Sequence, residues 1–302
     1  MEGLDSLAEV EVFVGESAVS DPGVDQGHGQ RLVAEQRRDR FEAHPSRSIT
    51  YISWVHLCCF RTGRLPRSVS ITVLNLRTTR PQVARELFAP IASDYERWAR
   101  VLSMGQDGRW RRAMVDGLDL PSGSRVLDVA AGTGSITRLL QMSGFEVISL
   151  DQSPEMLAEA VQQRAIGVVA TAERLPFPDS SFDGVAFGYL LRYADSVGGC
   201  LEELVRVTRP GGVLGMVEFG RPAGIWHSVW WLYTRLLLPL AGAVVGSGWW
   251  RVGRFLGPSI DRFATEYPPD ELAEQWRRSG VEHVRVRRMS LGGGLVMWGR
   301  RT

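Results

Sequence analysis

Two acids and a glycine turn stand out for the chemistry they could support. Asp128-Val129-Ala130-Ala131-Gly132-Thr133-Gly134 follows the apolar pair Val126-Leu127, and Asp151 follows the next apolar run, Glu146 to Leu150. Glycines in such a turn let the backbone pass close to a ligand and bend sharply into a helix N-terminus, whose free N–H groups suit polar ligand atoms. An acid ending the second strand is placed to accept hydrogen bonds from two ribose hydroxyls. The pair therefore reads as the pocket of a nucleoside-bearing cofactor. Dinucleotide-binding enzymes use a related turn, but their third glycine would fall at Thr137, and they do not require an acid at Asp128. The competing structural reading of Asp151 is a helix-capping acid beside Ser153-Pro154.

The elements that must position these residues follow from the rhythm around them. Arg125 to Val129, Glu146 to Leu150, Gly167 to Ala170, Gly184 to Gly188 and Val213 to Phe219 read as buried strands. Between them, Ser135 to Met142, the segment starting at Ser153-Pro154-Glu155, and Gly198 to Val207 read as helices. Pro269 to Arg278 is a further helix, and His283 to Met289 with Leu295 to Trp298 close as a hairpin. Such alternation predicts an α/β fold: a Rossmann-like, seven-stranded sheet, mostly parallel, with an antiparallel C-terminal hairpin and helices on both faces. Two cap helices are expected at 81–118, from Pro81 to Asp94 and from Gly105 to Leu118. Residues 1–80 show no sustained period and read as a poorly ordered extension, ahead of one domain over 81–302. Within that extension Ile49 to Phe60 and Val69 to Leu76 could form strands, without evident partners.

Bulk composition removes several function classes. The 35 basic residues, all Arg, nearly cancel 34 acids, so no nucleic-acid partner is expected. Cys58, Cys59 and Cys200 form no disulfide framework, and the histidines carry no metal-binding spacing, so no metal site is expected. The acidic first residues do not resemble a secretory leader, which points to the cytoplasm. Oligomeric state is not legible.

A third motif, Thr171-Ala172-Glu173-Arg174-Leu175-Pro176-Phe177-Pro178-Asp179 followed by Phe182-Asp183, makes the pattern specific. With the two motifs above, the chain resembles the class I methyltransferases and, in detail, the ubiquinone/menaquinone biosynthesis C-methyltransferase family. The resemblance continues through Phe187-Gly188 with Leu191-Arg192, Arg209-Pro210-Gly211-Gly212 and Glu218-Phe219. Upstream it includes Phe88, Ile91-Ala92, Tyr95 and Trp110-Arg111; downstream, Leu256 to Ile260, Tyr267-Pro268 and Gly292 to Leu295. It covers the chain from about Val83 to the C-terminus.

That resemblance implies S-adenosyl-L-methionine as cofactor and methyl transfer as the reaction. Asp151 would hold the ribose, Gly132, Thr133 and Gly134 would face the methionine moiety, and Thr171-Ala172 would meet the adenine edge. Ala186 and Phe187 would line the same pocket, with Asp128, Ala130, Gln152, Met156 and Glu173 also assigned to the cofactor. Methylation of a quinol ring carbon needs loss of a ring proton, so Arg192 is expected to stabilise a phenolate and Tyr95 to bind the ring oxygen or a proton-accepting water. His227 is a further available base. The departures lie on the acceptor side: Leu191-Arg192-Tyr193, with extra residues before it, stands for the family's Leu-Arg-Asn, and Glu96 stands for the commoner Asp. Thr171 replaces a frequent Asp or Asn.

The stretch 225–256 gathers Trp226, Trp230, Trp231, Tyr233, Trp249 and Trp250 with Arg235, Arg251 and Arg254. This composition suits a peripheral membrane contact, a lid over an apolar acceptor, or an ordinary packed helical hairpin. Its uncharged run, Leu236 to Trp250, is shorter than the roughly 20 residues a spanning helix needs. The expected acceptor is a small apolar aromatic or lipid-like molecule, a demethylated quinol foremost. Methylation of oxygen or nitrogen in a natural product or lipid, and a non-catalytic cofactor-binding scaffold, are the alternatives.

Overall fold

The computed structural model describes residues 11–14, 49–51, 79–161 and 166–302. Among these, one sheet contains β1 (Glu11–Val14), β2 (Ile49–Tyr51), β3 (Arg125–Val129), β4 (Glu146–Asp151), β5 (Ile166–Val169), β6 (Phe182–Gly188), β7 (Thr208–Phe219), β8 (Val281–Met289) and β9 (Gly294–Arg301). Their spatial order is β2-β1-β5-β4-β3-β6-β7-β9-β8. Strands β3 to β7 run parallel, and β9 lies antiparallel between β7 and β8. Strands β3 to β9 are the seven-stranded sheet the sequence predicts, with the hairpin in the predicted place, and β1 and β2 extend it beyond β5.

The sequence offered no partner for Ile49 to Phe60, yet Ile49–Tyr51 pairs antiparallel with β1, which pairs in turn with β5. An edge strand leaves a row of unpaired N–H and C=O groups, and a short β-forming run satisfies it. The partners are far apart in sequence, so spacing gave no hint. Thr79 and Arg80 begin the first helix, and the remainder of 1–78, including Val69 to Leu76, lies outside the described residues.

Side chains of the central strands alternate between two layers. Leu127, Val129, Leu150, Val185 and Phe187 bury against α6 (Val197–Val207) and α10 (Pro269–Arg278). Val126, Ala186, Val217 and Val296 face α3 (Gln106–Asp116) and α4 (Ser135–Met142), meeting Met114 and Leu140. Trp110 and Trp298 lock α3 to the C-terminal hairpin. The Trp110 indole donates to Ser290 Oγ at 2.8 Å, and the Trp298 indole to the Met114 carbonyl at 2.8 Å. A residue that α3 carries into the interior is therefore positioned by the far end of the chain.

The cap differs from expectation in one respect. Helix α1 (Thr79–Phe88) gives way to a 3₁₀ turn, Ala89–Asp94, where Pro90 removes a helical N–H. A separate helix, α2 (Tyr95–Leu102), follows and was not anticipated. Helix α5 is Pro154–Val161, capped by Ser153, whose Oγ accepts from Met156 N–H at 3.2 Å.

Between β7 and α10 the chain forms α7 (Ile225–Leu232), a π-helical stretch (Tyr233–Leu237), α8 (Leu238–Val245) and α9 (Ser247–Glu266). The first three run as one apolar helix of 21 residues, long and apolar enough by length and composition to cross a membrane. The expectation of too short a run counted uncharged residues alone. The helix continues through Arg235, whose charge is met by Asp261 at 2.8 Å. It also packs tightly on α9: a Cβ at Gly253 would lie 2.8 Å from Pro239 Cα. Most of its apolar surface remains exposed, including Ile225, Trp226, Val229, Trp231, Leu236, Leu237, Leu240 and Val244.

Candidate active site

A cleft with about 1050 Å³ of empty space opens at the carboxyl ends of β3, β4, β5 and β6. From β3 the chain moves outward through β4 and β5, then returns to β6 on the other side of β3. Ligands of open α/β sheets bind at such a reversal. Helices α1 to α3 form the opposite wall through Pro81, Ala84, Phe88, Tyr95 and Arg111.

One half is built for a nucleoside. The turn after β3 has positive φ at Ala130 (56°), Gly132 (57°) and Gly134 (84°). A Cβ at Gly134 would lie 2.9 Å from Ala160 Cβ, so both conformation and space favour glycine there. Asp151 is fixed at both oxygens: Oδ2 accepts from Gly132 N–H at 2.8 Å and Oδ1 from Ser153 N–H at 2.8 Å. Burial raises its pKa, and these backbone donors oppose the rise. A carboxylate offers about four acceptor positions, so capacity remains for a diol. The capping and ligand readings of Asp151 thus coexist on different lone pairs. The pinned carboxylate, the side-chain-free turn and the open end of β5 at Thr171 and Ala172 fit the adenosyl portion of S-adenosylmethionine.

Ala130, Gly132, Thr133, Asp151, Gln152, Met156, Thr171, Ala172 and Glu173, all assigned to the cofactor, line the cleft. Besides Asp151, three of them also hold protein groups. Gln152 Nε2 donates to the Pro81 carbonyl at 2.9 Å, and Thr133 Oγ1 to Glu96 at 3.3 Å. Glu173 accepts from Asp195 N–H at 2.6 Å, just before α6. Four other assigned residues lie behind the wall. Gly134 abuts α5, while Ala186 and Phe187 are wholly buried within β6, Phe187 packing on Trp276 at 5.9 Å. Side chains inside a strand enter the layers above and below the sheet; the residues just beyond its end meet the crevice.

Asp128 is the fourth. It is wholly buried, and its Oδ2 accepts from Thr137 Oγ1 at 2.6 Å, which also meets Ser149 Oγ at 2.7 Å. Its Oδ1 has no partner. Burial pushes the carboxyl pKa up to about 7 against the opposing Thr137 bond. Thr137 occupies the position of the dinucleotide pattern's third glycine, so the departure from that pattern supplies the bond that orients Asp128.

The cap is fastened to this half by Glu96, which the sequence showed only as a departure. It accepts from Ser135 Oγ at 2.7 Å and from Arg138 Nη2 at 2.8 Å, tying α2 to the start of α4. Burial opposes its charge, but the Ser135 and Arg138 hydrogen bonds prevail and lower its pKa.

The other half combines aromatic walls with buried charge. Arg192 follows β6 on a 3₁₀ turn, Leu191–Tyr193, and its Nη1 donates to Glu218 Oε1 at 2.8 Å. Their side chains are 3% and 1% exposed. Burial works against the Arg192 charge, and Glu218 outweighs it, so the guanidinium pKa is raised. Its Nε and the Tyr193 hydroxyl are buried side by side, neither with an aligned hydrogen-bond partner. Tyr95 stacks on Trp249 at 6.0 Å and meets Phe88 edge-on at 5.9 Å; burial raises its phenol pKa. Tyr193 stacks on Phe255 at 6.1 Å, so α9 forms part of this wall's support. The structure thus brings Arg192 and Tyr95 into one chamber, beside the nucleoside half. It adds Arg111, Tyr189 and Tyr193, to which sequence reasoning gave no role. His227, on α7, is not among the cleft-lining residues.

The ubiE/COQ5 methyltransferase family model matches residues 75–300. A demethylmenaquinone methyltransferase of Renibacterium salmoninarum is 40% identical over 220 residues, covering 72% of this chain and 90% of the relative. Its counterpart from Mycobacterium marinum is 36% identical over 219 residues, covering 72% and 91%. The ubiquinone/menaquinone biosynthesis C-methyltransferase of Desulfotalea psychrophila is 34% identical over 221 residues, covering 71% and 88%. Among solved structures, an S-adenosylmethionine-dependent methyltransferase of Thermotoga maritima superposes with a TM-score of 0.52 at 20% identity, covering 72% of this chain and 99% of the other; it supports the fold. With the Asp151 pocket and the strand order agreeing, the chain belongs to the ubiE/COQ5 family and is an S-adenosylmethionine-dependent methyltransferase.

Proposed function

We propose that the protein methylates a ring carbon of a demethylated quinol carrying an apolar tail, a demethylmenaquinol in the first instance. The observation that carries this reading is the buried Arg192–Glu218 pair at the aromatic end of the cleft, with Arg192 Nε and Tyr193 Oη lacking aligned hydrogen-bond partners. The names of the relatives above support it.

When bound, S-adenosylmethionine supplies an electrophilic methyl group. The protein contributes position and electrostatics. Asp151 and the Gly132 turn would hold the nucleoside. Arg192, kept charged and aligned by Glu218, stabilises negative charge as a phenol oxygen of the acceptor ionises. This raises electron density on the adjacent ring carbon, which would form the new carbon–carbon bond as the methyl–sulfur bond breaks and S-adenosylhomocysteine leaves. That carbon then releases its proton and the ring regains aromaticity. Tyr95 binds the ring oxygen or the water that receives the proton. Phe88, Tyr95, Tyr193 and the residues behind them exclude bulk water, which strengthens each of these interactions.

The apolar acceptor would arrive from a bilayer. The exposed face of 225–245, with Trp226, Trp231, Leu236, Leu237 and Leu240, is proposed to lie in the plane of a membrane surface on its cytoplasmic side. No acidic residue occurs between Glu218 and Asp261, whereas Arg221, Arg235, Arg251 and Arg254 do, which favours anionic lipid. The Arg235–Asp261 pair and the close packing on α9 favour this peripheral placement over spanning.

An acceptor panel tests the assignment: reduced demethylmenaquinol, a catechol and a primary amine, each with labelled methyl donor. Preference for the quinol by an order of magnitude is expected. Preference for the catechol or the amine would replace it with oxygen or nitrogen methylation.

A further inference from the structure

Beside the Arg192 pair lies a second buried polar cluster. Asp107 and Arg111 sit one turn apart on α3, with Arg111 Nε 3.0 Å from Asp107 Oδ1 and side chains 10% and 12% exposed for Arg111 and Asp107. Tyr189 donates its hydroxyl proton to the same Asp107 oxygen. Arg111 Nε is buried and has no aligned hydrogen-bond partner. Arg111 and Tyr189 both line the cleft, and Trp110, held by Ser290, fixes the helix that carries the pair.

Two further observations point to a ligand. Tyr189 holds φ at 57°, a left-handed conformation that is strained for a bulky residue and is retained where the surroundings require it. The Arg111 and Arg192 guanidiniums both lie over its ring, at 5.4 and 5.5 Å from the centroid. The two polar clusters therefore adjoin at the Tyr189 ring, on the cleft that both Arg111 and Arg192 line. Each buried cation is matched by a buried acid, Arg111 by Asp107 and Arg192 by Glu218. Such a chamber favours an uncharged acceptor with two polar groups over one bearing a carboxylate.

We propose that Asp107, Arg111 and Tyr189 form a second acceptor-binding pole, which binds the oxygen of a 1,4-dihydroxy aromatic ring para to the one held by Arg192. Tyr189, one of the extra residues before Leu191-Arg192, is the specificity-determining contact. Asp107 acts through it by fixing the direction of its hydroxyl. This rests on the quinol reading above. It adds that the enzyme discriminates a dihydroxy ring from a monohydroxy one.

The test compares two acceptors carrying the same short prenyl chain: a 1,4-dihydroxynaphthalene kept reduced, and the corresponding 1-naphthol. Wild-type protein should show kcat/KM about tenfold or more higher for the diol, the usual order for one hydrogen bond left unmade in a buried site. In Tyr189→Phe and in Asp107→Asn that ratio should collapse to within about threefold, with S-adenosylhomocysteine titration reporting that each variant is folded. A ratio that persists in both variants would overturn the proposal. So would equal losses on both acceptors, which would mark Tyr189 as structural, or a wild type indifferent to the second hydroxyl. Methylation of neither acceptor by wild type would overturn the quinol reading and this proposal together, an outcome distinct from all the others.

Discussion

Arg192 and Glu218 form a 2.8 Å ion pair, with side chains 3% and 1% exposed, between the end of β7 and the turn after β6. Breaking a buried pair by removing one partner strands the other charge, at a cost of roughly 3–5 kcal/mol. A pair placed at the acceptor chamber therefore couples stability to catalysis.

The first consequence concerns Glu218→Gln. The glutamine can still accept from Arg192 but leaves its charge uncompensated. Turnover should fall by about ten- to a hundredfold, since a misdirected guanidinium stabilises less phenolate. Affinity for S-adenosylhomocysteine should stay within about threefold. Arg192→Ala should lower turnover further with the same sparing of the cofactor. Steady-state kinetics beside calorimetric titration would check this, and unchanged turnover would reduce the pair to a packing role.

Asp151 should behave in the opposite way. Asp151→Ala removes the carboxylate that accepts from Gly132 and Ser153 and would meet the ribose. Cofactor affinity is expected to drop by about a hundredfold or more, the scale of two charge-assisted hydrogen bonds. Near-normal affinity by calorimetry would remove Asp151 from the pocket.

Asp128 makes stability depend on pH. Its folded pKa of about 7 exceeds the ordinary 3.8, so between these values the folded chain keeps a proton that the unfolded chain has lost. That contribution is fully present below about pH 3.8 and is lost as pH rises through about 7. The slope is about 1.4 kcal/mol per pH unit within the window. Asp128→Asn, which cannot ionise, should flatten this decline. Denaturant unfolding at pH 5, 6, 7 and 8 checks it, and parallel curves for the two proteins would contradict it.

Membrane docking should respond to both apolar and charged residues. Replacing Trp226, Trp231 and Leu237 together by Ser should reduce binding to anionic vesicles by about tenfold or more while leaving cofactor affinity intact. Raising salt should weaken wild-type binding, because part of it comes from arginines facing anionic lipid. Vesicle sedimentation gives both readings, and equal binding to neutral and anionic vesicles would remove the electrostatic part.

What the sequence made legible was local. The Gly132 turn, Asp151 and the helix starting at Pro154 are set by neighbours within a few residues, and all stand where spacing put them. Asp128 shows the limit of that reasoning: a motif acid beside a ligand turn can point away from the ligand, and only the Thr137 and Ser149 hydroxyls reveal which way. Arg111 depends on Trp110 meeting Ser290 from the C-terminal hairpin, a contact no periodicity encodes. Tyr189 depends on a left-handed backbone that its residue type would not suggest. The extent of the apolar helix is not legible from its uncharged run, Leu236 to Trp250, because Arg235 lies inside the helix and Asp261 supplies its counter-charge from α9.

The most direct test of the central claim is the position of the transferred methyl group. The protein would be incubated with reduced demethylmenaquinol in anionic vesicles and S-adenosylmethionine labelled with carbon-13 in the methyl group, and the product resolved by NMR. The label is expected on the ring carbon adjacent to a phenol oxygen, and Arg192→Ala should greatly reduce it. Label on oxygen, or tight cofactor binding with no transfer to the quinol, would contradict carbon methylation of this acceptor.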